Sequence, residues 1–295
     1  MQGKVLYFML LISVVVIWGA TFPIMKLSLQ YISPVMLLSF RFILSAALML
    51  PIVFKNKMLI ERKNVILGIV GGILLFLAYY TQTVGLEYTT SSQSGLITGM
   101  YVVLLPIISL LYLKIKLNKV DVIAVSIGFI GLILMSSLKF SSAYTFGDIL
   151  TFFCAIFYGL QTAYVFKYTK YLDSMVFTFY QLLMVGVLSS IFVPFSWEPS
   201  GLLKPIVIFT IVFTALFASF FAILINTRVL QYIEPTAAGV IYVGEPVFAV
   251  ISSILILKEI PTMDIILGGI IIVVAMLIET LHKYVETKNS INIPQ

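Results

Sequence analysis

The sequence predicts an all-α integral membrane protein with ten transmembrane helices arranged as two inverted five-helix repeats. Three observations lead to this prediction. Of the 295 residues, 61% are hydrophobic and only 10% are charged, whereas a soluble domain has roughly 25% charged residues. The apolar residues form ten runs of membrane-spanning length. Motifs from the first half of the chain also recur in the second half at a nearly constant offset.

Each apolar run has about 20 residues, which is enough to cross ~30 Å of hydrocarbon as an α-helix. Helices are expected because an open sheet would leave backbone polar groups unpaired in lipid. The first run follows only Lys4 and spans a full bilayer, so we expect it to be retained rather than cleaved. The runs lie near residues 5–25, 34–54, 65–86, 91–113, 120–137, 147–166, 173–194, 205–227, 236–257 and 262–281.

The internal repeat is clearest in two segments, QTVGLEYTTSSQSG at 82–95 and NTRVLQYIEPTAAG at 226–239. An offset of 144 aligns them, and further along it pairs Lys114 with Lys258. Earlier in the chain an offset of 140 pairs Trp18-Gly19 with Tyr158-Gly159, and Phe40-Arg41 with Tyr180-Gln181. We therefore predict a first repeat over 1–140, a second repeat over 141–281, and a polar cytoplasmic tail over 282–295.

A repeat with an odd number of spans must lie in the bilayer in two opposite orientations. Inverted repeats are typical of secondary transporters, whose substrate site lies near the bilayer midplane at the repeat interface. With the N-terminus inside, cytoplasmic loops carry 13 Lys and Arg residues and outer loops carry four, namely Lys26, Lys139, Lys204 and Lys258. The positive-inside rule then predicts a multi-pass protein of the cell membrane with both termini in the cytoplasm.

The composition argues against several other classes of protein. The single cysteine, Cys154, and the single histidine, His282, cannot form a disulfide framework or a cysteine- or histidine-rich metal site. The chain contains no HExxH or GxSxG motif and no cluster of intramembrane acids, so an intramembrane enzyme is not expected. The net charge of +6 comes from short loops, where it sets orientation and does not indicate nucleic-acid binding. We expect no cofactor.

Several motifs resemble a known family. Residues 18–26 read WGATFPIMK and are followed by Pro34, Arg41-Phe42 and Pro51, while residues 244–249 read GEPVFA and precede Lys258-Glu259. In order and spacing they resemble the EamA family of the drug/metabolite transporter superfamily. The resemblance implies ten helices and a transporter that moves small metabolites, often outward, through a cavity between the repeats. One departure is Ile115, where an acidic residue is expected by analogy with Glu259.

Glu245 is the most informative single residue. It lies near the middle of the ninth predicted span, between Gly244 and Pro246. Burying a lone carboxylate there is costly, so the side chain should face the bundle interior and either find a partner or hold a proton. It is thus a substrate or proton site where the Gly-Pro pair breaks the helix, or else a structural carboxyl bonded to another helix.

A second group of candidates is assigned to gating or structure. Arg41 lies about two turns into the second span, where it could snorkel to the headgroups, pair with Glu245 or contact an anionic substrate. Trp18 is expected to anchor in the interfacial aromatic belt. Gly19 and Pro23 follow it at a predicted kink where a gate could bend, and Pro246 belongs to the predicted break in the ninth span.

Polar and aromatic residues of the third, fourth, sixth, eighth and ninth spans are candidate lining residues of a central cavity. They could offer hydrogen bonds and ring faces to a solute, or they could join helices as interhelical polar contacts. With Glu245, the predicted substrate-binding set is Tyr79, Gln82, Thr98, Tyr101, Tyr158, Gln161, Asn226 and Tyr242, and Thr162 lies on the same face of the sixth span as Tyr158.

The predicted function is secondary transport of a small metabolite, an amino acid or similar amphipathic solute, by an exporter or exchanger using alternating access. The alternatives are a structural or assembly subunit of a membrane complex and a channel without carrier activity. The expected partners are the solute, the lipid bilayer and protons as a candidate coupling ion, and the chain is expected to act as a monomer or homodimer.

Overall fold

The computed structural model describes residues 2–55, 61–114, 116–136, 142–169, 172–197, 199–231 and 241–291. Over these ranges the chain is helical and contains no β-strand. The helices are α1 (Gln2–Ser28), α2 (Pro34–Val53), α3 (Arg62–Tyr88), α4 (Ser91–Leu113), α5 (Lys119–Ser136), α6 (Ser142–Thr169), α7 (Ser174–Phe192), α8 (Pro205–Val229), α9 (Gly244–Leu257) and α10 (Met263–Ile291).

The helices cover the described part of every predicted apolar run, to within three residues at the ends. Residue 137 of the fifth run and residues 236–240 of the ninth run lie outside the described residues. Among the residues that are described, seven helices are long and apolar enough to cross a membrane, and Gly244–Leu257 and Met263–Ile278 are shorter apolar helices. The all-helical membrane fold is therefore as the composition predicts.

Two helices contain π-helical turns, in which the backbone hydrogen bonds skip one more residue than in an α-helix. In α4 this turn is Ser109–Leu113, and in α8 it is the longer segment Thr214–Phe221. The residues after α4 and α9, Lys114 and Lys258, are the non-glycine residues with positive φ among those described, at 62° and 56°. Each donates its backbone N–H to the carbonyl five residues earlier, Ser109 and Ser253 respectively.

Helix packing joins the two halves of the chain. α1 packs along α9, and α6 packs along α4. α3 contacts α6 and α7, while α2 contacts α7 and α8. α5 packs along α10, and α4 along α9. Most of these contacts pair a helix from the first half with one from the second, so the core is shared between them.

Small residues allow α9 to approach its neighbours closely. Ala249 lies between Gly19 of α1 and Gly95 of α4. A Cβ atom added at Gly19 would lie 2.6 Å from the Cβ of Phe248, and one added at Gly99 would lie 2.9 Å from the ring of Pro246. These glycines therefore set the distance at which the three helices pack.

Candidate functional site

A cavity of about 40 Å³ lies in the middle of the bundle. It has room for a few water molecules, whereas pockets that hold a small organic molecule have roughly 300–1,000 Å³. Its lining comes from α1, α2, α3, α4, α6, α8, the start of α9 and Tyr242 just before α9. The lining residues are Trp18, Thr21, Phe22, Arg41, Leu75, Tyr79, Gln82, Tyr101, Tyr158, Gln161, Thr162, Ile223, Asn226, Tyr242 and Glu245.

The structure brings together eight of the nine predicted substrate-binding residues on this lining. The ninth, Thr98, lies behind it and accepts a hydrogen bond from Nε2 of Gln82 at 3.3 Å. Of the five residues assigned to gating or structure, Trp18 and Arg41 line the cavity. Gly19, Pro23 and Pro246 are not part of the lining and instead lie within helices α1 and α9.

Trp18 faces the interior of the bundle. Its indole Nε1 donates to the carbonyl of Ala218 at 3.0 Å, within the π-helical segment of α8. An anchor in the interfacial belt would place the ring at the headgroups, so the belt interpretation was wrong for this residue. The position of Trp18 in the sequence indicates its depth along the helix. It does not indicate whether the ring lies on the lipid-facing or the interior face of that helix.

Helix α1 continues through Gly19 and Pro23. Proline has no backbone N–H, so the carbonyl of Gly19, four residues earlier, lacks its usual donor within the helix. The hydroxyl of Ser252 in α9 donates to this carbonyl at 3.0 Å. The glycine-proline pair thus ties α1 to α9 by a side-chain hydrogen bond.

Glu245 is the second residue of α9, because the helical path is interrupted at Val243. Pro246 cannot donate to the carbonyl of Tyr242, which explains a break at this point. The carboxylate is 6% exposed and lines the cavity, and no described residue forms a hydrogen bond or ion pair with it. It lies at the N-terminal end of α9, where the helix dipole favours a negative charge.

Arg41 is 1% exposed and also lines the cavity. Its Nε donates to the Ser219 hydroxyl at 2.7 Å. Its Cζ lies 4.8 Å from the ring centre of Phe42 and 4.7 Å from that of Tyr79. Within the described residues it forms no ion pair, so neither snorkelling nor pairing with Glu245 describes its position.

Amide and hydroxyl side chains form matching pairs in the two halves of the chain. Gln82 of α3 bonds to Thr98 of α4, and Asn226 of α8 accepts a hydrogen bond from the Tyr242 hydroxyl. The offset of 144 that aligns Gln82 with Asn226 also aligns Thr98 with Tyr242. The same contact between an amide and a hydroxyl is therefore made twice, once on each side of the cavity.

Tyrosine rings form a continuous contact across the cavity. Tyr79 meets Tyr158 edge-on with ring centres 5.4 Å apart. Tyr101 lies 6.2 Å from Tyr158 and 6.1 Å from Tyr242. These separations are typical of favourable aromatic pairs. The rings offer an apolar surface to a solute, and their hydroxyl groups offer hydrogen bonds.

Four lining residues were not named among any of the sequence candidates: Thr21, Phe22, Leu75 and Ile223. The repeat offsets identify three of them. At 140 residues, Thr21 and Phe22 are the counterparts of Gln161 and Thr162, and at 144 Ile223 is the counterpart of Tyr79. The counterpart of Leu75 is Ser219, and Ser219 contacts Arg41 but does not line the cavity. The repeat offset therefore does not identify Leu75 as a lining residue.

The turn between α3 and α4, at one end of the bundle, is held by charged side chains from other elements. The Lys26 ammonium of α1 donates to the carbonyls of Leu86 at 2.7 Å, Glu87 at 3.0 Å and Thr89 at 2.9 Å. The Asp148 carboxylate of α6 accepts from the Thr89 hydroxyl at 2.8 Å. Lys26 therefore satisfies carbonyls at the C-terminal end of α3, where a cation is favoured by the helix dipole.

The same turn is held from the connection between α9 and α10. The Glu259 carboxylate accepts from the backbone N–H groups of Ser91 at 2.9 Å and Ser92 at 3.0 Å, and from the Ser92 hydroxyl at 2.7 Å. It thus satisfies N–H groups at the start of α4, which have no acceptor within the helix. We refer to Lys26, Asp148 and Glu259 together as the α3–α4 turn cluster.

Comparison with known proteins identifies relatives along the whole chain. A sequence model of the EamA-like transporter family matches residues 5–137 and again residues 145–280. The chain is 35% identical over 273 residues to an uncharacterized transporter of Archaeoglobus fulgidus, covering 91% of this chain and 84% of that protein. It is 24% identical over 278 residues to the uncharacterized transporter YoaV of Bacillus subtilis, covering 92% and 95%.

A solved crystal structure has the same fold. It superposes on this chain with a TM-score of 0.69 at 16% sequence identity, covering 94% of this chain and 96% of the other. At that identity the likeness concerns the fold alone.

Proposed function

Because the chain belongs to the EamA-like transporter family, a family of membrane transporters and not of enzymes, we propose that it is a secondary transporter of small metabolites. The solute is an amino acid or a similar amphipathic molecule, and it crosses by alternating access through the central cavity. The observation that carries this proposal is the cavity itself. It combines tyrosine rings, amides, one buried carboxylate and one buried guanidinium at the centre of the bundle.

Two inverted repeats are part of the proposal. The family model matches twice, over 5–137 and 145–280, and this supports repeats close to 1–140 and 141–281. The left-handed residues Lys114 and Lys258 are counterparts at the offset of 144. The packing of α1 on α9 matches that of α6 on α4 when the repeats are exchanged. A two-fold axis in the membrane plane would relate such pairs.

The loop charges support one orientation of the chain in the membrane. The bias of 13 basic residues to four favours both termini in the cytoplasm of a cell with the protein in its plasma membrane. In that orientation the α3–α4 turn cluster lies at the outer end of the bundle. The cytoplasmic end would then hold the counterpart connections of the second repeat.

A carrier must close one end of its cavity while the other opens. In the proposed orientation the turn cluster closes the outer end with hydrogen bonds to charged groups. The counterparts of Lys26 and Glu259 are Phe166 and Ile115, which cannot make these bonds at the inner end. The cavity of about 40 Å³ is too small for a metabolite, so binding a solute requires the helices around it to separate.

Glu245 is the proposed site for the cationic group of the solute or for a coupling proton. It is buried, faces the cavity and forms no hydrogen bond or ion pair with a described residue. A buried carboxylate of this kind is costly unless a cation or a proton accompanies it. Binding a cationic group would compensate its charge.

Reconstituted flux tests the proposal. Metabolites that differ between cells with and without the protein would first be identified, and each would then be loaded into proteoliposomes. A carrier gives flux that saturates with concentration and is accelerated by solute on the opposite side. Flux without saturation would indicate a channel instead. The absence of any protein-dependent flux would favour the assembly-subunit alternative.

A further inference from the structure

The guanidinium of Arg41 has donors that the protein uses only weakly. Its strong hydrogen bond is from Nε to the Ser219 hydroxyl at 2.7 Å. The two terminal nitrogens have poorer acceptors, Nη1 with the Met25 sulfur at 3.5 Å and Nη2 with the Tyr79 hydroxyl at 3.4 Å. Thioether sulfur is a weak acceptor, and 3.4 Å is long for a hydrogen bond between nitrogen and oxygen.

The guanidinium of Arg41 lies over the ring faces of Phe42 and Tyr79. A cation–π contact stabilises the charge but does not supply an acceptor for the N–H groups. A guanidinium presents paired N–H groups in one plane, and that geometry fits the two oxygens of a carboxylate. Arg41 therefore lines the cavity with its two terminal nitrogens bonded only weakly by the protein.

Two lining residues, Arg41 and Glu245, carry opposite charges and do not pair with each other. Among the described residues around the cavity, Arg41 is the sole cation and Glu245 the sole anion, and they form no ion pair. The counterpart of Arg41 is the neutral Gln181, which accepts a hydrogen bond from Gln161 at 2.8 Å. A molecule that carries both a carboxylate and an ammonium group would compensate both buried charges at once.

Ser219 fixes the direction of the guanidinium. It is fully buried in the π-helical segment of α8, next to Ala218, whose carbonyl accepts from Trp18. π-helical turns occur often at functional sites because they reshape the helix locally. Here consecutive residues of the segment bond to two lining side chains, Trp18 from α1 and Arg41 from α2.

We propose that Arg41 binds the carboxylate of the transported solute through its two terminal nitrogens, and that Ser219 is the positioning residue that orients it. The inference rests on the proposed function, since it places the solute in the central cavity. The inference restricts the solute to zwitterions with a free carboxylate. Glu245 would bind the ammonium group of such a solute. The amide of the same molecule would lose the charged contact with Arg41.

The test uses proteoliposomes and a ¹⁴C-labelled hydrolysate of L-amino acids. We expect wild-type uptake to be inhibited by excess unlabelled L-leucine and much less by excess L-leucinamide, which has no carboxylate. Arg41→Gln should lower uptake by about tenfold or more, because a hydrogen-bonded charge contact is lost. Arg41→Lys should raise KM and retain part of the uptake, because lysine keeps the charge without the bidentate geometry.

Ser219→Ala should raise KM with little change in kcat, and Ser219→Thr should restore the wild-type KM because it keeps the hydroxyl. Ser126→Ala is the matched control, since among the described residues its hydroxyl bonds only to the Val122 carbonyl of its own helix, α5. Thermal unfolding of each variant separates loss of fold from loss of recognition. If Arg41→Gln does not fold, Arg41→Lys and the two Ser219 variants decide the question through KM.

Equal inhibition by L-leucine and L-leucinamide would overturn the inference, as would unchanged KM in a folded Ser219→Ala protein. If the hydrolysate is not taken up, the test turns to the metabolites whose levels in cells depend on the protein. Two outcomes are then possible. Metabolites with a carboxylate whose flux requires Arg41 support the inference, and those without one refute it while leaving the transporter function intact. If no metabolite depends on the protein, the proposed function itself fails.

Discussion

Loss of the Glu259 carboxylate should open the end of the cavity that the proposed orientation places outside. Glu259 accepts three hydrogen bonds at the start of α4, two from backbone N–H groups and one from the Ser92 hydroxyl. Removing an N-terminal cap costs about 1 kcal/mol, and hydrogen bonds to a charged group contribute roughly 1.5–3 kcal/mol when buried. Glu259 is partly exposed, so we discount the sum for solvent screening and take about 2 kcal/mol for Glu259→Ala.

If these bonds form only when the outer end is closed, 2 kcal/mol shifts the balance between closed and open states by about 30-fold. The assay is the rate at which an impermeant maleimide labels Thr21→Cys from outside, in a Cys154→Ala background. Thr21 lines the cavity, so its labelling reports opening of that end. Asp264→Asn, at the start of α10, is the matched control because no described residue hydrogen-bonds to its carboxylate.

We expect Glu259→Ala to raise the labelling rate by about 30-fold and Asp264→Asn to leave it unchanged. A Glu259→Ala protein that is less stable to heat but is labelled at the wild-type rate would refute the reasoning. It would mean that the cap on α4 persists in both states and contributes to the fold without controlling access.

Three further predictions concern topology, the carboxylate and packing. Ser290→Cys, in the same cysteine-free background, should be labelled only after the membrane is permeabilised, and labelling from outside would overturn the proposed orientation. Glu245→Gln should keep the thermal stability of the wild type but strongly lower uptake or remove its pH dependence, while normal uptake with an unchanged pH profile would exclude Glu245 from transport. Gly95→Leu should lower the free energy of unfolding by about 1–3 kcal/mol or more, because the added side chain meets Ala249 of α9. Chemical denaturation measures this free energy. The control is Gly244→Ala, which should change it least because the nearest atom lies 3.4 Å from an added Cβ.

Much of the helical framework could be predicted from the sequence, because lipid requires long apolar helices and each run marks one. The residues around the cavity were also largely predictable. A polar side chain inside a span is expensive unless it faces the protein interior. This criterion selects Tyr79, Gln82, Gln161, Asn226 and Glu245, all of which line the cavity.

Contacts between helices were less predictable. Ser219 and Lys26 act through hydrogen bonds to residues 178 and about 60 positions away, and apolar periodicity carries no information about such partners. The π-helical segment of α8 has no distinctive composition, so its effect on the directions of Ser219 and Ala218 could not be anticipated. Leu75 lines the cavity because of where α3 lies against its neighbours, and its apolar side chain gave no reason to select it.

The single copies of Arg41 and Glu245 have a consequence for how such a protein can arise. A half-length ancestor that assembled from two identical chains in opposite orientations would place every residue of its cavity twice. It could not present a guanidinium on one side without a second one opposite, nor a single carboxylate. Two halves with separate sequences can differ at such positions, as here, where Gln181 aligns with Arg41 and Tyr101 with Glu245. Separate sequences in the two halves therefore permit a cavity that differs from one side to the other.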